Sequence, residues 1–287
     1  MAGSSPQRFS EIADRVFIER YPEWDVTVGA VLSSDAILLV DTRASAQQGR
    51  DLIDDVRRFA SALPIRWVVN THQHFDHTFG NIAMPKEAVI SAQVNAAAGL
   101  EASAARIKRL IAETPEGDPD APEITTEVLA DVAGTTLRLP DRTFESVSTI
   151  DLGDRYVELV HPGRGHTDGD LVVRVPDADV LFAGDLVEQS GPPGFGSDCW
   201  PLEWPGTLDI VGGLLTGASI VVPGHGKPVD QQFVQDFRED ISTVAQLIRS
   251  LHSQGIPVGD AIRSSDAWPF PPQRLADGVA RGYEQLG

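Results

Sequence analysis

The chain has 287 residues, of which 41% are hydrophobic, and its formal net charge at pH 7 is −19. A chain of this length and composition can bury a large core without disulfide bonds, and its single cysteine, Cys199, excludes an intrachain disulfide. A strongly acidic protein repels phosphate backbones and anionic lipids, so the charge argues against a nuclease and against a peripheral membrane enzyme.

The sequence also predicts the cellular location of the protein and the classes of partner that it lacks. No stretch approaches the ~20 apolar residues that span a bilayer, and residues 1–6 lack the basic and apolar regions of a secretory leader. Without a cysteine framework, nothing points to an oxidising compartment. We therefore expect a cytoplasmic protein that has no nucleic-acid or membrane partner. No pattern predicts an oligomeric state.

The first half of the chain alternates short apolar runs with amphipathic stretches. Strands are favoured by β-branched runs between turn residues, and helices by apolar residues spaced three or four apart. In chain order these patterns predict strands over residues 16–19, 27–32 and 37–40, a helix over 44–63, strands over 65–70 and 88–92, and a helix over 93–113.

The second half of the chain contains more short strands and two unusual loops. Residues 114–122 form an acidic, proline-rich loop, and residues 189–205 form a loop rich in glycine and proline. The predicted strands cover residues 144–150, 156–161, 171–175, 180–183 and 219–222, and the predicted helices cover 233–251 and 273–285. Two sheets packed face to face with helices outside fit this order. We predict a single domain over residues 1–287, with a C-terminal helical extension from about residue 231.

The most informative stretch is residues 72–77, His-Gln-His-Phe-Asp-His, directly after the predicted strand 65–70. In extended backbone, residues two apart point to the same side, so His72 and His74 can face one metal ion. Asp76 and His77 come after the chain has begun to turn and can face a second ion. Imidazole nitrogen and carboxylate oxygen suit zinc, and also iron or manganese.

Three later residues of ligand type each follow an apolar run and a glycine: His166, Asp185 and His225. Glycine lets the backbone turn and approach a metal closely. Ligand-type residues that recur at the ends of predicted strands favour a shared site over scattered surface histidines.

These motifs together resemble those of the metallo-β-lactamase fold superfamily. The six-residue motif matches the family signature, and the later motifs match in order from about residue 16 to residue 226: Gly165-His166-Thr167-Asp168-Gly169, Gly184-Asp185 and Gly224-His225. The resemblance implies a four-layer αββα sandwich and a site for two zinc ions per chain. Carried over by position, His72, His74 and His166 hold the first ion, Asp76, His77 and His225 hold the second, and Asp185 bridges the two.

The resemblance also implies an activity. It favours a metal-dependent hydrolase that uses a hydroxide bridging two zinc ions to cleave an ester, thioester, lactone or amide of a small molecule. Aspartate at position 185 resembles the thioesterase-like and lactonase-like branches, because true lactamases more often have Cys or Ser there. Asp76 could also pass a proton to the leaving group.

Other functions stay open from the sequence. An iron-dependent oxygenase of the same fold, similar to the persulfide dioxygenases, uses a similar ligand set with one iron, and spacing does not separate it from a hydrolase. The acidic charge disfavours a nuclease. A non-catalytic binding module is least favoured, because all seven ligand positions are filled.

Residues outside the metal motifs carry weaker signals. Phe195, Trp200 and Trp204, in the loop 189–205, predict an apolar wall of the substrate pocket, although ordinary packing of aromatic residues explains them as well. Lys227 could anchor an anionic group of a substrate, or could simply be solvated. Asp41, at the end of a predicted strand, could orient a ligand histidine or lie in a solvated turn.

Overall fold

The computed structural model of the chain describes residues 8–116 and 121–287. The expectation about residues 1–6 and the middle of the predicted loop 114–122 therefore lie outside the described residues. Within those residues, no helix is both long enough and apolar enough to cross a membrane.

The first sheet has seven strands, which lie side by side in chain order. They are β1 (Ser10–Ala13), β2 (Val16–Arg20), β3 (Thr27–Leu32), β4 (Ile37–Val40), β5 (Ile65–Val69), β6 (Val89–Gln93) and β7 (Arg142–Phe144). Strands β1 to β4 pair antiparallel, and β4 to β7 pair parallel. The carboxyl ends of the parallel strands therefore share one edge, which is where ligands collect in such sheets.

The second sheet has five strands in the spatial order 12, 11, 10, 9 and 8. They are β8 (Val147–Asp151), β9 (Tyr156–Val160), β10 (Val172–Val175), β11 (Val180–Glu188) and β12 (Ile220–His225). The pairing is antiparallel except between β11 and β12, which run parallel.

The described residues form eight α-helices, which are α1 (Ala46–Ala60), α2 (Phe75–Thr78), α3 (Val94–Glu113), α4 (Thr126–Gly134), α5 (Trp204–Gly213), α6 (Gln231–Ser253), α7 (Val258–Ala261) and α8 (Ala276–Leu286). Of these, α1, α5, α6 and α8 pack on the outer faces of the two sheets. Helix α1 shows why these segments fold as they do. The Ser45 side chain caps its first turn by accepting from the Gln48 amide, and Leu52 and Val56 bury its apolar face.

Three of the four hydrophobic clusters among the described residues form the layers of the sandwich. One lies between the sheets and joins residues such as Val40 of β4 with Leu159 of β9. A second joins the first sheet to α1, and a third joins the second sheet to α5, α6 and α8. The order helix, sheet, sheet, helix confirms the predicted αββα sandwich.

The structure differs from the predicted elements in several places. The predicted strand 144–150 is two strands, because the chain leaves the first sheet after Phe144 and enters the second at Val147. Strand β11 runs through Gly184 to Glu188 instead of ending at residue 183, since Leu186 and Val187 are fully buried. Helices α4 and α5 and strand β1 were not predicted. Helix α5 lies in a stretch rich in proline and glycine, but its Pro205 occupies the first turn, where proline is tolerated.

Candidate metal centre

The seven predicted ligand residues meet where strands of both sheets end. His72 and His74 follow β5, and Asp76 and His77 lie in the short helix α2. The other three come from the second sheet: His166 from the connection between β9 and β10, Asp185 from β11, and His225 from the end of β12.

His72, His74, His166 and Asp185 form the first group. Each offers one ligand atom, and these atoms lie within 4.8 Å of one another. Nε2 of His166 is 2.8 Å from Nδ1 of His74 and 3.4 Å from Oδ2 of Asp185. Nε2 of His72 is 3.6 Å from the same carboxylate oxygen. The geometry of this group suits one metal ion.

Asp76, His77 and His225 form the second group, with ligand atoms again within 4.8 Å of one another. Oδ2 of Asp76 lies 3.5 Å from Nε2 of His77 and 3.4 Å from Nε2 of His225. Asp185 adjoins this group as well, because its Oδ1 is 3.3 Å from His77 Nε2 and its Oδ2 is 3.2 Å from His225 Nε2. One carboxylate therefore faces both groups.

The polar atoms of these groups fit a metal ion. Nε2 of His72 is buried and makes no hydrogen bond to the described residues, and Nε2 of His77 faces Oδ1 of Asp185 at 3.3 Å without hydrogen-bond geometry. Buried polar atoms without hydrogen bonds are costly, and a metal ion held by these residues would satisfy them. A Cβ at Gly224 would overlap the Asp185 carboxylate, so glycine is required for this close approach.

Asp41 fixes the orientation of His77. Its Oδ2 lies 2.8 Å from His77 Nδ1, and its two oxygens accept from the amide and hydroxyl of Thr71 at 2.8 and 2.9 Å. Asp41 is buried and has a φ of 66°, a strained conformation for a residue other than glycine. It is therefore a buried partner of a histidine and not a solvated turn residue.

Other histidines are held from behind by oxygen atoms. Nδ1 of His166 lies 2.8 Å from the Gly194 carbonyl oxygen, and Nδ1 of His225 lies 2.7 Å from the Trp24 carbonyl oxygen. A ring nitrogen that donates to a carbonyl leaves the other nitrogen free to coordinate. These contacts direct Nε2 of both rings into the site.

His74 is held the other way round, by a residue that the sequence did not single out. Its Nε2 lies 3.0 Å from Oδ2 of Asp198, so Nδ1 faces the first group. Arg106 of α3 lies against both partners, with Nη2 3.1 Å from His74 Nε2 and 3.5 Å from Asp198 Oδ1. His74 and Asp198 are 124 residues apart in a contact that no spacing rule predicts.

Asp198→Ala should lower the affinity for the metal without unfolding the protein. The variant removes the carboxylate that orients His74, and loss of such a partner typically costs about 10- to 100-fold in metal affinity. Competition with a fluorescent chelator measures the affinity. Asp209→Ala, which removes a surface carboxylate paired with Arg238, is the matched control. Equal metal affinity in both variants would contradict a positioning role for Asp198.

Burial and charge separate the histidines into two types. Burial lowers the pKa of His72 well below its ordinary value and lowers the pKa of His166 to about 4. Burial also opposes charge on His77 and His225, but the neighbouring carboxylates of Asp185 and Asp76 outweigh it. They raise the pKa of His77 well above its ordinary value and the pKa of His225 to about 10.

Metal binding to the metal-free protein at pH 7 should therefore release protons, up to about two per chain, from His77 and His225. The raised pKa values of both rings favour the protonated form at that pH, and a histidine must be neutral to coordinate. Apparent affinity should fall as the pH is lowered. Calorimetric titration with zinc in two buffers of different ionisation enthalpy measures the proton count. A count of zero would show that these histidines are already neutral or do not bind the ion.

A cavity of about 560 Å³ opens beside the first group. Phe195 lies on its wall, as do the ligands His74 and His166. Glu188, which the sequence analysis missed, also lines it, and burial next to Asp185 raises the pKa of Glu188 to about 8.

The other predicted pocket residues do not line this cavity. Trp204 has no exposed surface and donates from Nε1 to the Leu186 carbonyl oxygen, so it lies behind the wall. Trp200 stacks under the guanidinium of Arg164, whose Cζ is 3.7 Å from the ring centroid. Lys227 is exposed outside the cavity. Packing against the sandwich thus accounts for the position of Trp204, whereas Trp200 lines a second cavity, of about 370 Å³, together with Asp198 and Arg106.

Comparison with known proteins defines the class. The family model of the metallo-beta-lactamase superfamily matches residues 21–225, and the chain belongs to that superfamily. Membership and the cluster of His and Asp side chains together indicate a metal-dependent hydrolase.

Two curated proteins share part of their sequence with this chain. The chain is 28% identical over 207 residues to a metallo-beta-lactamase type 2 of Bacillus sp. (strain 170), covering 71% of this chain and 68% of the relative. A similarly named protein of Bacteroides fragilis is 33% identical over 92 residues, which cover 31% of this chain and 37% of the relative.

Solved structures share the fold at lower identity. A metallo-beta-lactamase from Pontibacter korlensis superposes with a TM-score of 0.61 and 22% identity, covering 82% of this chain and 98% of that chain. The sec-alkylsulfatase Pisa1 from Pseudomonas sp. superposes with a TM-score of 0.77 and 15% identity, covering 96% of this chain and 50% of that one. These likenesses establish the fold alone.

Proposed function

We propose that the protein is a dinuclear zinc hydrolase that cleaves an ester, thioester, lactone or amide of a small molecule. The observation that carries the proposal is the carboxylate of Asp185, which faces two groups of ligand-type side chains at once. A single ion would leave one of these groups without a metal partner.

The donor set supports zinc as the resident ion. Five imidazoles and two carboxylates are nitrogen and oxygen donors that zinc accepts, and manganese or iron accept them too. Two zinc ions in these groups would lower the pKa of a bound water molecule to near neutrality and would polarise the carbonyl group under attack. His72, His74 and His166 would hold one ion and Asp76, His77 and His225 the other, with Asp185 shared.

The residues of the protein itself shield the site from water and orient the ligand side chains. The ligand side chains are buried apart from a small part of His74 and His225, so the walls exclude most bulk water and strengthen the electrostatic interactions inside. Asp41 and Asp198 hold His77 and His74 in position. As a further hypothesis, Asp76 passes a proton to the leaving group, since its side chain keeps a small exposed surface.

Two observations bear on which substrate of this class the enzyme would cleave. Aspartate at position 185 favours the thioester and lactone branches that the sequence resembles. Because curated relatives are named metallo-beta-lactamases, a β-lactam amide belongs among the compounds tested.

The test begins with elemental mass spectrometry of protein purified without added metal. About two zinc ions per chain, with hydrolysis of an activated ester, thioester, lactone or β-lactam that chelation removes and zinc restores, would support the proposal. About one iron per chain, with oxygen consumption on a persulfide, would favour the oxygenase instead. Metal-replete protein that hydrolyses no member of the panel would contradict it.

A further inference from the structure

Two backbone turns lie behind the histidines of the second ligand group. The first turn, residues 41–43, follows β4 and contains Asp41, whose carboxylate orients His77. The second turn, Glu23–Asp25, joins β2 to β3, and its Trp24 carbonyl oxygen lies 2.7 Å from Nδ1 of His225. Each turn therefore sets the direction of one histidine ring of this group.

Both turns have a backbone conformation that residues other than glycine rarely adopt. The φ angle is 66° at Asp41 and 72° at Arg43, and it is 57° at both Trp24 and Asp25. Left-handed backbone at such residues persists only where the surrounding contacts hold it in place. The contacts between the two turns therefore decide where both histidines point.

A buried ion pair joins the two turns. Nη2 of Arg43 lies 2.8 Å from Oε2 of Glu23, and the Arg43 side chain is only 3% exposed. The same guanidinium lies over the Tyr21 ring, with Cζ 3.7 Å from the ring centroid. A planar guanidinium held by both a carboxylate and an aromatic face is fixed in position and in orientation. Loss of the Glu23 carboxylate would leave this buried cation without its ion-pair partner.

Backbone contacts connect each turn to its histidine a second time. Thr42, inside the first turn, donates to the His77 carbonyl oxygen from its amide at 2.9 Å and from its hydroxyl at 3.1 Å. Val26, directly after the second turn, pairs with His225 in an isolated antiparallel β-bridge. A movement of either turn would therefore move the backbone of a ligand as well as the partner of its ring.

We infer that the Glu23–Arg43 ion pair positions the second metal ion. It holds the two turns together, so that His77 and His225 keep the separation that a shared ion requires. The inference rests on the proposed dinuclear site and adds two positioning residues to it, neither of which touches a metal ligand side chain directly.

Removal of the Glu23 carboxylate tests the inference. Glu23→Ala should weaken the binding of one of the two zinc ions roughly tenfold, the low end of the effect of losing a direct partner of a ligand histidine, and leave the other ion unchanged. Competition between the metal-free protein and a fluorescent chelator measures both binding steps. Glu23→Gln keeps an oxygen acceptor for Arg43 and should retain most of the affinity.

A second ion pair of the same kind supplies the matched control. The Asp177 carboxylate lies 2.8 Å from Nη2 of Arg155, whose side chain is 1% exposed. Asp177→Ala therefore also leaves a buried arginine without its ion-pair partner, but Arg155 donates to the Asp14 and Leu32 carbonyl oxygens and not to a turn behind the ligands. This variant should bind both zinc ions as the wild type does.

NMR of the zinc-loaded protein, labelled with nitrogen-15 at histidine, identifies which rings respond. The Nδ1–H signals of His77 and His225 should shift in Glu23→Ala, because Asp41 and Trp24 hold these protons. The Nδ1–H signal of His166 is the internal reference and should stay, since the Gly194 carbonyl oxygen holds it.

The outcomes separate the inference from the proposed function. Unchanged signals of His77 and His225, or an equal loss of zinc affinity in Glu23→Ala and Asp177→Ala, would overturn the inference and leave the hydrolase in place. A wild-type protein that binds only one ion would contradict the dinuclear site. In that case the NMR signals still decide, with shifts confined to His77 and His225 supporting the positioning role and their absence overturning it.

Discussion

Asp185→Asn should reduce hydrolysis by more than about 100-fold and lower the metal content below two ions per chain. Its carboxylate lies within 3.2–3.6 Å of four ligand histidines, and within residues 8–116 and 121–287 it alone faces both groups. Loss of an outer partner already costs about 10- to 100-fold, and a shared direct ligand should cost more. Initial rates on an activated ester and elemental analysis of the same preparation measure the two effects.

Asp185→Asn removes a negative charge as well as a possible metal ligand, and this charge affects the pKa values of the neighbouring histidines in the metal-free protein. Burial alone would raise the pKa of Asp185, but the surrounding histidines, led by His225 and His77, hold it well below its ordinary value. Asparagine cannot offset those charges, so His77 and His225 should lose protons more easily in the variant.

A surface substitution serves as the control for Asp185→Asn. Asp209→Asn removes a carboxylate that pairs with Arg238 on the surface and should change neither rate nor metal content. An Asp185→Asn variant with full activity and two bound ions would show that the shared carboxylate is not a ligand.

The sequence predicted the fold and the residues that gather at the site because both depend on local patterns. His72 and His74 follow β5 and His225 ends β12, and apolar runs predict both strands. Asp185 lies within β11, which pairs parallel with β12 and so comes to the same edge. The turn from β5 into α2 places Asp76 and His77 beside His225, as the change from extended to turning backbone suggested.

The residues that the sequence missed act through contacts between distant loops. Asp198 reaches His74, and the Trp24 carbonyl oxygen reaches His225. Neither contact leaves a repeated spacing or a flanking glycine in the sequence. Trp204 illustrates the opposite error: an aromatic residue near a ligand predicted a pocket surface, but its indole is fully buried.

Removal of the metal should lower the melting temperature by roughly 8–16 °C. An ion that binds only the folded state stabilises it by about 4 kcal/mol when its concentration is 1,000 times its dissociation constant, and 1 kcal/mol shifts the midpoint of a protein near this size by roughly 2–4 °C. The atoms of His72, His77 and Asp185 that make no hydrogen bond to the described residues provide the structural reason, because chelation leaves them buried without a metal ion. Calorimetric scans with and without chelator, after verified metal loss, measure the shift.

The size of this shift should depend on pH in a defined direction. In the metal-free protein His225 has a pKa of about 10, raised by Asp185 and Asp76, against an ordinary value of 6.5. Its protonated ring therefore stabilises the metal-free fold fully below about pH 6.5, and this stabilisation is lost as the pH rises toward 10. Metal binding strengthens over the same range, because fewer protons compete for the ligands. Chelation should accordingly lower the melting temperature more at pH 8.5 than at pH 6.5, and a smaller effect at the higher pH would contradict competition between protons and metal at these histidines.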